Sequence, residues 1–294
     1  MEPLLSSLAY FSVFHFPLKK EEILFWRPKD ISSGKVEAFL QEALKRKIIE
    51  KRGDYYFLSG FCSWVEQRKK RERISQKKLS IAKKEAQFLI KLPGILMVGL
   101  SGSVAAANAK ENDDIDFFII TQKNRLWAGR FFSILGLELR GCRRRPGQKQ
   151  VKDKICLNLF LDEAHLFFRR KRHDLYTAHE ILQMKPLASQ GDIYERFLKA
   201  NRWVEKFFPF AYRERLKKAS LLKSFPLKKS LPTLGGEKFY CFLQQTYMRW
   251  RQGKNRLKLV SGQLFFHPHD ERMEVLRSYQ KILKCLLTKR KASL

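Results

Sequence analysis

Apolar positions fall on one helical face through the first part of the chain, at Leu4, Leu5, Leu8, Phe11 and Val13. After Pro17 the stretch "FPLKKEEILFW" predicts a second helix with Leu18, Ile23 and Leu24 inward. "SSGKVEAFLQEALKRK" predicts a third, with Ser32 or Ser33 as N-cap and Val36, Phe39, Leu40 and Leu44 inward. "IIEKRGDYYFL" then reads as two short strands around a turn at Gly53 and Asp54. Residues 61–92 predict a connecting helix, in which "EQRKKRERISQKKLSIAKK" carries nine basic residues. Val65, Ile74, Leu79 and Ile81 give that helix a sparse apolar side, and the rest is a basic stripe or a solvated face.

The pattern changes at Pro93 and Gly94. "ILMVGL" predicts a strand, "SVAAANA" a short helix, "KEND" a loop and "IDFFIIT" a second strand. "RLWAGRFFSILGLEL" predicts a helix, and the basic loop "RGCRRRPGQKQVKDK" leads into a third strand, "ICLNLFL". From residue 166 onward the periodicity is helical, with residues 213–235 read as a Lys- and Pro-punctuated loop and helices over 237–252 and 270–288. The fold class expected is α+β: an N-terminal unit over 1–60, a mixed sheet over 93–165 and a C-terminal helical bundle over 166–294. Three helices followed by a hairpin resemble a winged helix-turn-helix, which implies a nucleic-acid reader or a small packing module.

Composition narrows the partners. The 294 residues include 44% apolar residues and 24 Phe, which excludes global disorder. Against 29 Asp and Glu stand 60 Lys and Arg, a formal charge of +31 that favours a polyanion such as RNA or DNA. Cys62, Cys142, Cys156, Cys241 and Cys285 have no metal-finger or disulfide-framework spacing. An odd count fits a reducing compartment, the apolar start lacks a basic leader, and no apolar run nears the ~20 residues of a membrane span. A cytoplasmic protein with no membrane partner is expected. His267 and His269 lack a Cys or acidic cluster at finger spacing, so a loop reading outweighs a metal there.

The chemistry gathers in "SGSVAAANAKENDDIDFFII", residues 101–120. A strand that turns into a helix at Gly102 and Ser103 exposes backbone N–H groups. Gly lets a phosphate come close, Ser adds a hydroxyl donor, and a helix N-terminus favours negative charge. Asp114 and Asp116 lie two apart on a strand, so both point to one face, while Ile115 points into the core. Two carboxylates so placed repel unless a cation such as Mg²⁺ joins them.

Gly102 and Ser103, ten residues, then Asp114-Ile115-Asp116-Phe117 resemble the signature of the nucleotidyltransferase superfamily with the DNA polymerase β-like fold. The resemblance covers roughly residues 93–165. It implies a nucleoside triphosphate such as ATP as substrate, two Mg²⁺ ions, and transfer of the nucleoside monophosphate to a hydroxyl. Gly102 and Ser103 would hold the triphosphate, and Asp114 and Asp116 would bind the metals. It also implies a third carboxylate on a later strand. Along "KICLNLFLDEA" Asn158 stands where that residue is expected, with Asp162 on the same strand face and Asp153 just before the strand. Asn cannot act as a base, so the alternatives are Asp162, Asp153, a ligand supplied by the substrate, or a domain that binds nucleotide without turnover. Asn108 and Lys110 could touch ribose or phosphate, and Arg125 or Arg130 could reach the γ-phosphate; a capping or solvated role stands beside each. Two readings remain open: a transferase, or a nucleotide-sensing, nucleic-acid-binding regulator or antitoxin-like protein partner without catalysis.

Overall fold

The computed structural model describes residues 2–28, 31–222, 225–226, 236–252, 258–260, 262–265 and 271–292. The first unit comprises α1 (Glu2–Ser12), β1 (Leu18–Lys19), α2 (Lys20–Phe25), α3 (Ser33–Lys45), β2 (Ile49–Arg52) and β3 (Tyr55–Leu58). Ser32 is the N-cap of α3, its hydroxyl accepting from the Lys35 amide at 3.4 Å. Gly53 turns the hairpin with φ +58°, and β3 lies between β1 and β2 in a three-stranded antiparallel sheet. Leu18, expected on a helix, pairs with Tyr56 instead, because Pro17 leaves the chain extended before α2 begins.

Helix α4 (Trp64–Leu89) leads to the main sheet. That sheet is built on β4 (Ile95–Leu100), β5 (Ile115–Thr121) and β6 (Ile155–Asp162), with α5 (Gly102–Ala105) and α6 (Leu126–Leu139) in the connections. Then follow α7 (Leu175–Gln183), β7 (Lys185–Ser189), α8 (Ile193–Ala200), α9 (Pro209–Ser220), α10 (Gly236–Gln252), β8 (Lys258–Val260), β9 (Gln263–Phe265) and α11 (Arg272–Ala292). The strand order is β7-β4-β5-β6-β9-β8, with β5 and β6 parallel and the other pairs antiparallel. The architecture is α+β with a mixed sheet.

Both sheet faces are covered. Ile115, Phe117 and Ile119 of β5 pack with α4, α6 and α10, while Phe118 and Ile120 pack with α1, α7, α8 and α11. That second core runs without a break from Leu4 through Phe118 to Leu286, so the N-terminal helices share it with the sheet.

Two expectations for the C-terminal part need correction. Residues 166–294 contain β7, β8 and β9, which extend the sheet on both sides. The described helices there do not form one bundle: α10 lies on α6, whereas α11 lies on α1 and α7. Residues 213–220, expected in a loop, belong to α9, whose first position is Pro209, a residue preset for that place.

Candidate functional site

Strand β4 ends where Ser101 donates its amide to Asp116 O at 2.9 Å, which holds Gly102 beside β5. Gly102 has φ +64°, and a Cβ there would collide with Asp116 Oδ2. Only glycine allows this left-handed turn and this approach to a carboxylate. The helix that follows has only four residues. Its dipole is therefore small, and any pull on an anion comes from single N–H groups.

The loop between α5 and β5 is held from below by α4. Lys78, only 2% exposed, donates through Nζ to Glu111 O at 3.1 Å, Asp113 O at 2.7 Å and Asp153 Oδ1 at 2.6 Å. Ser75 Oγ accepts from the Ala109 amide at 3.0 Å. Arg71 donates to Asn108 Oδ1 at 2.9 Å, and Asn108 Nδ2 donates to Phe14 O at 3.3 Å. Ser103 Oγ donates to Asp113 Oδ2 at 3.0 Å, which also accepts from the Lys110 amide at 2.8 Å. Asp113 thus ties the Ser103 turn to the loop, while the Lys110 side chain is exposed.

Asp116 stands in register with Cys156 across the parallel β5–β6 pair. The Cys156 thiol lies beside the Asp116 carboxylate. Ligand atoms of Asp114, Asp116 and Cys156 lie within 4.8 Å of one another. Burial, and after it the neighbouring Asp114 charge, pushes the Asp116 carboxyl up to about 7. Burial and the two carboxylates likewise push the Cys156 thiol well up, which keeps it protonated at neutral pH. Arg144 donates through Nη1 to Asp114 Oδ2 at 2.5 Å and to Cys156 Sγ at 3.8 Å. Burial opposes the Arg144 charge, but Asp114 and Cys156 outweigh it and hold the guanidinium protonated. From α7, Glu180 adds negative charge near Asp116, and burial raises its own carboxyl to about 7. Sequence reasoning singled out neither Cys156, Arg144 nor Glu180; the signal for Cys156 lay in its β6 position opposite Asp116.

The remaining expected residues lie apart from this cluster. Asn158 is buried at the register shift of β6 and is not opposite Asp116. Asp162 pairs with Thr121 at the other end of the strands, roughly 20 Å away at strand spacing. There its carboxylate accepts from the Asn124 amide at 2.7 Å and the Ala164 amide at 2.8 Å. Asp153 is held by Lys78 under the loop. Arg130 is buried in α6 and donates to Gln244 of α10, and Arg125 starts α6 beyond the far end of β5. His267 and His269 lie outside the described residues.

No family model matches the chain, and no curated protein matches it. A solved structure, that of a STING-associated CdnE c-di-GMP synthase from Capnocytophaga granulosa, is similar over 98% of this chain and 99% of its own. Its identity is 12% and its TM-score 0.29, and a likeness this slight leaves the reading to the residues themselves.

Proposed function

We propose that this chain is a nucleotidyltransferase that moves a nucleoside monophosphate from a nucleoside triphosphate to a hydroxyl acceptor. The observation that carries this reading is the meeting of the Gly102 backbone with the Asp116 carboxylate, with Asp114 and Cys156 in the same 4.8 Å cluster. The donor set fits a divalent cation: two carboxylates supply hard oxygens and the thiol lies at their side. Asp114 and Asp116 would hold the cation, which when bound supplies positive charge to the phosphates. Gly102, having no side chain, lets the Asp116 carboxylate lie against the turn whose backbone N–H groups would meet phosphate oxygens. Asp113, Lys78 and Ser103 set that turn, so they act on position rather than on the phosphates themselves.

The acceptor in this reading is a polyanion, RNA first. Lys69, Lys70, Arg73, Lys77, Lys83 and Lys84 are exposed on α4. Such a surface gives binding that weakens steeply with salt. The N-terminal unit has the element order of a winged helix. The exposed side of α3 carries Lys35, Glu37, Gln41 and Lys45, mixed in sign, which favours a packing role over groove reading.

The test is incubation with α-labelled nucleoside triphosphates, Mg²⁺ or Mn²⁺ and a panel of RNA, protein and small hydroxyl acceptors. Label appears on an acceptor and is lost in Asp114→Ala and Asp116→Ala. A second reading, a nucleotide-binding regulator without transfer, is favoured by the thiol of Cys156 opposite Asp116, with neither Asn158 nor Asp162 in the cluster. Nucleotide binding with no labelled acceptor in the whole panel selects that second reading and rejects the first.

A further inference from the structure

The loop between α6 and β6 runs beside the start of β6 as an extra rung. Ile155 donates its amide to Cys142 O at 2.7 Å, and Arg144 donates its amide to Ile155 O at 2.9 Å. Side chains of an extended segment alternate in direction. Arg143 and Arg145 accordingly turn one way, to Glu138 of α6, at 2.5 Å and 2.9 Å. Arg144 turns the other way, onto Asp114 and Cys156. Its guanidinium is thus built into the sheet edge, over the carboxylate best placed to take a cation.

We propose that Arg144 is an internal counter-ion which couples cation binding to polyphosphate binding at the Asp114 and Asp116 site. This inference rests on the nucleotidyltransferase reading and names how that site is regulated. Arg144 Nη1 and a divalent cation compete for the same oxygen, Asp114 Oδ2. The Arg144 side chain is 37% exposed, so it can swing away, and its planar fork matches phosphate oxygens. A triphosphate that draws the guanidinium off Asp114 leaves that carboxylate free for the cation, and charge stays matched throughout. Without polyphosphate the cation must displace Arg144 with nothing to receive it. The coupling is reciprocal: cation and triphosphate each tighten the other.

The probe is Mn²⁺, read by loss of its free-ion paramagnetic resonance signal beyond that of protein-free blanks, with and without a triphosphate whose α,β-bridge is methylene. Wild type binds Mn²⁺ weakly alone and about tenfold or more tightly with the analogue. Arg144→Gln binds Mn²⁺ alone about tenfold more tightly than wild type, and the analogue then adds little. Arg144→Lys, which keeps a cation but loses the fork, falls between the two and serves should Arg144→Gln fail to fold. Adding Asp114→Asn removes the gain, which places the ion at the carboxylates. Equal or weaker Mn²⁺ binding by both Arg144 variants overturns the inference and leaves nucleotidyl transfer standing wherever label transfer persists. If no form binds Mn²⁺ with or without the analogue, the inference and the transferase reading fall together.

Discussion

Cys156 stands in register with Asp116 across the parallel pair β5–β6, and its thiol lies within 4.8 Å of that carboxylate. A thiol there leaves the acid group with a neutral partner on the next strand. Cys156→Asp puts a third carboxylate at this register. Without metal the added like charge lowers stability by about 1–3 kcal/mol. Mg²⁺ restores it, and Mg²⁺ affinity rises above that of wild type. Thermal melting and calorimetric titration with Mg²⁺ check both, and Cys156→Ser, which adds no charge, changes neither by much. A Cys156→Asp protein indifferent to Mg²⁺ contradicts the assignment.

Gly102 combines a left-handed backbone with contact to Asp116. Gly102→Ala therefore costs about 1–2 kcal/mol for the conformation alone. The new methyl also drives the Asp116 carboxylate from its place, so nucleotide binding is lost beyond what stability explains. Urea unfolding with equilibrium dialysis of a labelled triphosphate separates the two effects.

Lys78→Met strips Glu111 O, Asp113 O and Asp153 of a shared donor. Asp153 is partly open to water, which tempers the loss to about 2–3 kcal/mol. The loop that carries Asp114 loosens. Faster hydrogen exchange at the Asp113 and Ile115 amides, with the core of β5 unchanged, is the expected pattern.

His179 is enclosed by Tyr10, Phe11, Trp26 and Phe208, its ring stacked on Tyr10 at 3.9 Å. Among the described residues neither ring nitrogen has a hydrogen-bond partner, and burial holds its pKa well below 6.5. The unfolded chain therefore binds the proton first as pH falls. His179 costs the folded state up to about 1.4 kcal/mol per pH unit below about 6.5. Asp116 and Glu180, both raised to about 7, work in the opposite sense, since the folded state takes up their protons first. The difference between wild type and His179→Phe isolates the histidine. In urea unfolding at pH 7.5, 6.0 and 5.0 it shifts toward the variant as pH falls; a pH-independent difference refutes the account.

Strands β4 and β5 follow the sequence pattern to the residue because each is a mostly apolar run, interrupted in β5 by Asp116, with sharp polar or glycine borders. Strand β7 escaped that reading: "KPLAS" is short, holds Pro186 and has no clear alternation. Gly102 and Asp116 were legible together because they belong to one motif spanning neighbouring strands, β4 and β5, which pair antiparallel. Cys156 was not, because what places it opposite Asp116 is the β5–β6 register. Counting alternate residues back from Asp162 to Asn158 also runs toward the register shift, where alternation no longer keeps one face. Arg144 was hidden in a basic run, since only the added rung on β6 separates it from Arg143 and Arg145.

Helix α4 grips Glu22 through Arg68, Asn108 through Arg71, Ala109 through Ser75 and Asp113 through Lys78. These four residues cover about 15 Å of one rigid rod. Heat or denaturant that frees the first helices slackens the same rod that braces the acidic loop. The stretch of α4 from Arg68 to Lys78 therefore melts in one transition, and no partly unfolded species keeps the acidic loop braced after the first helices have come away.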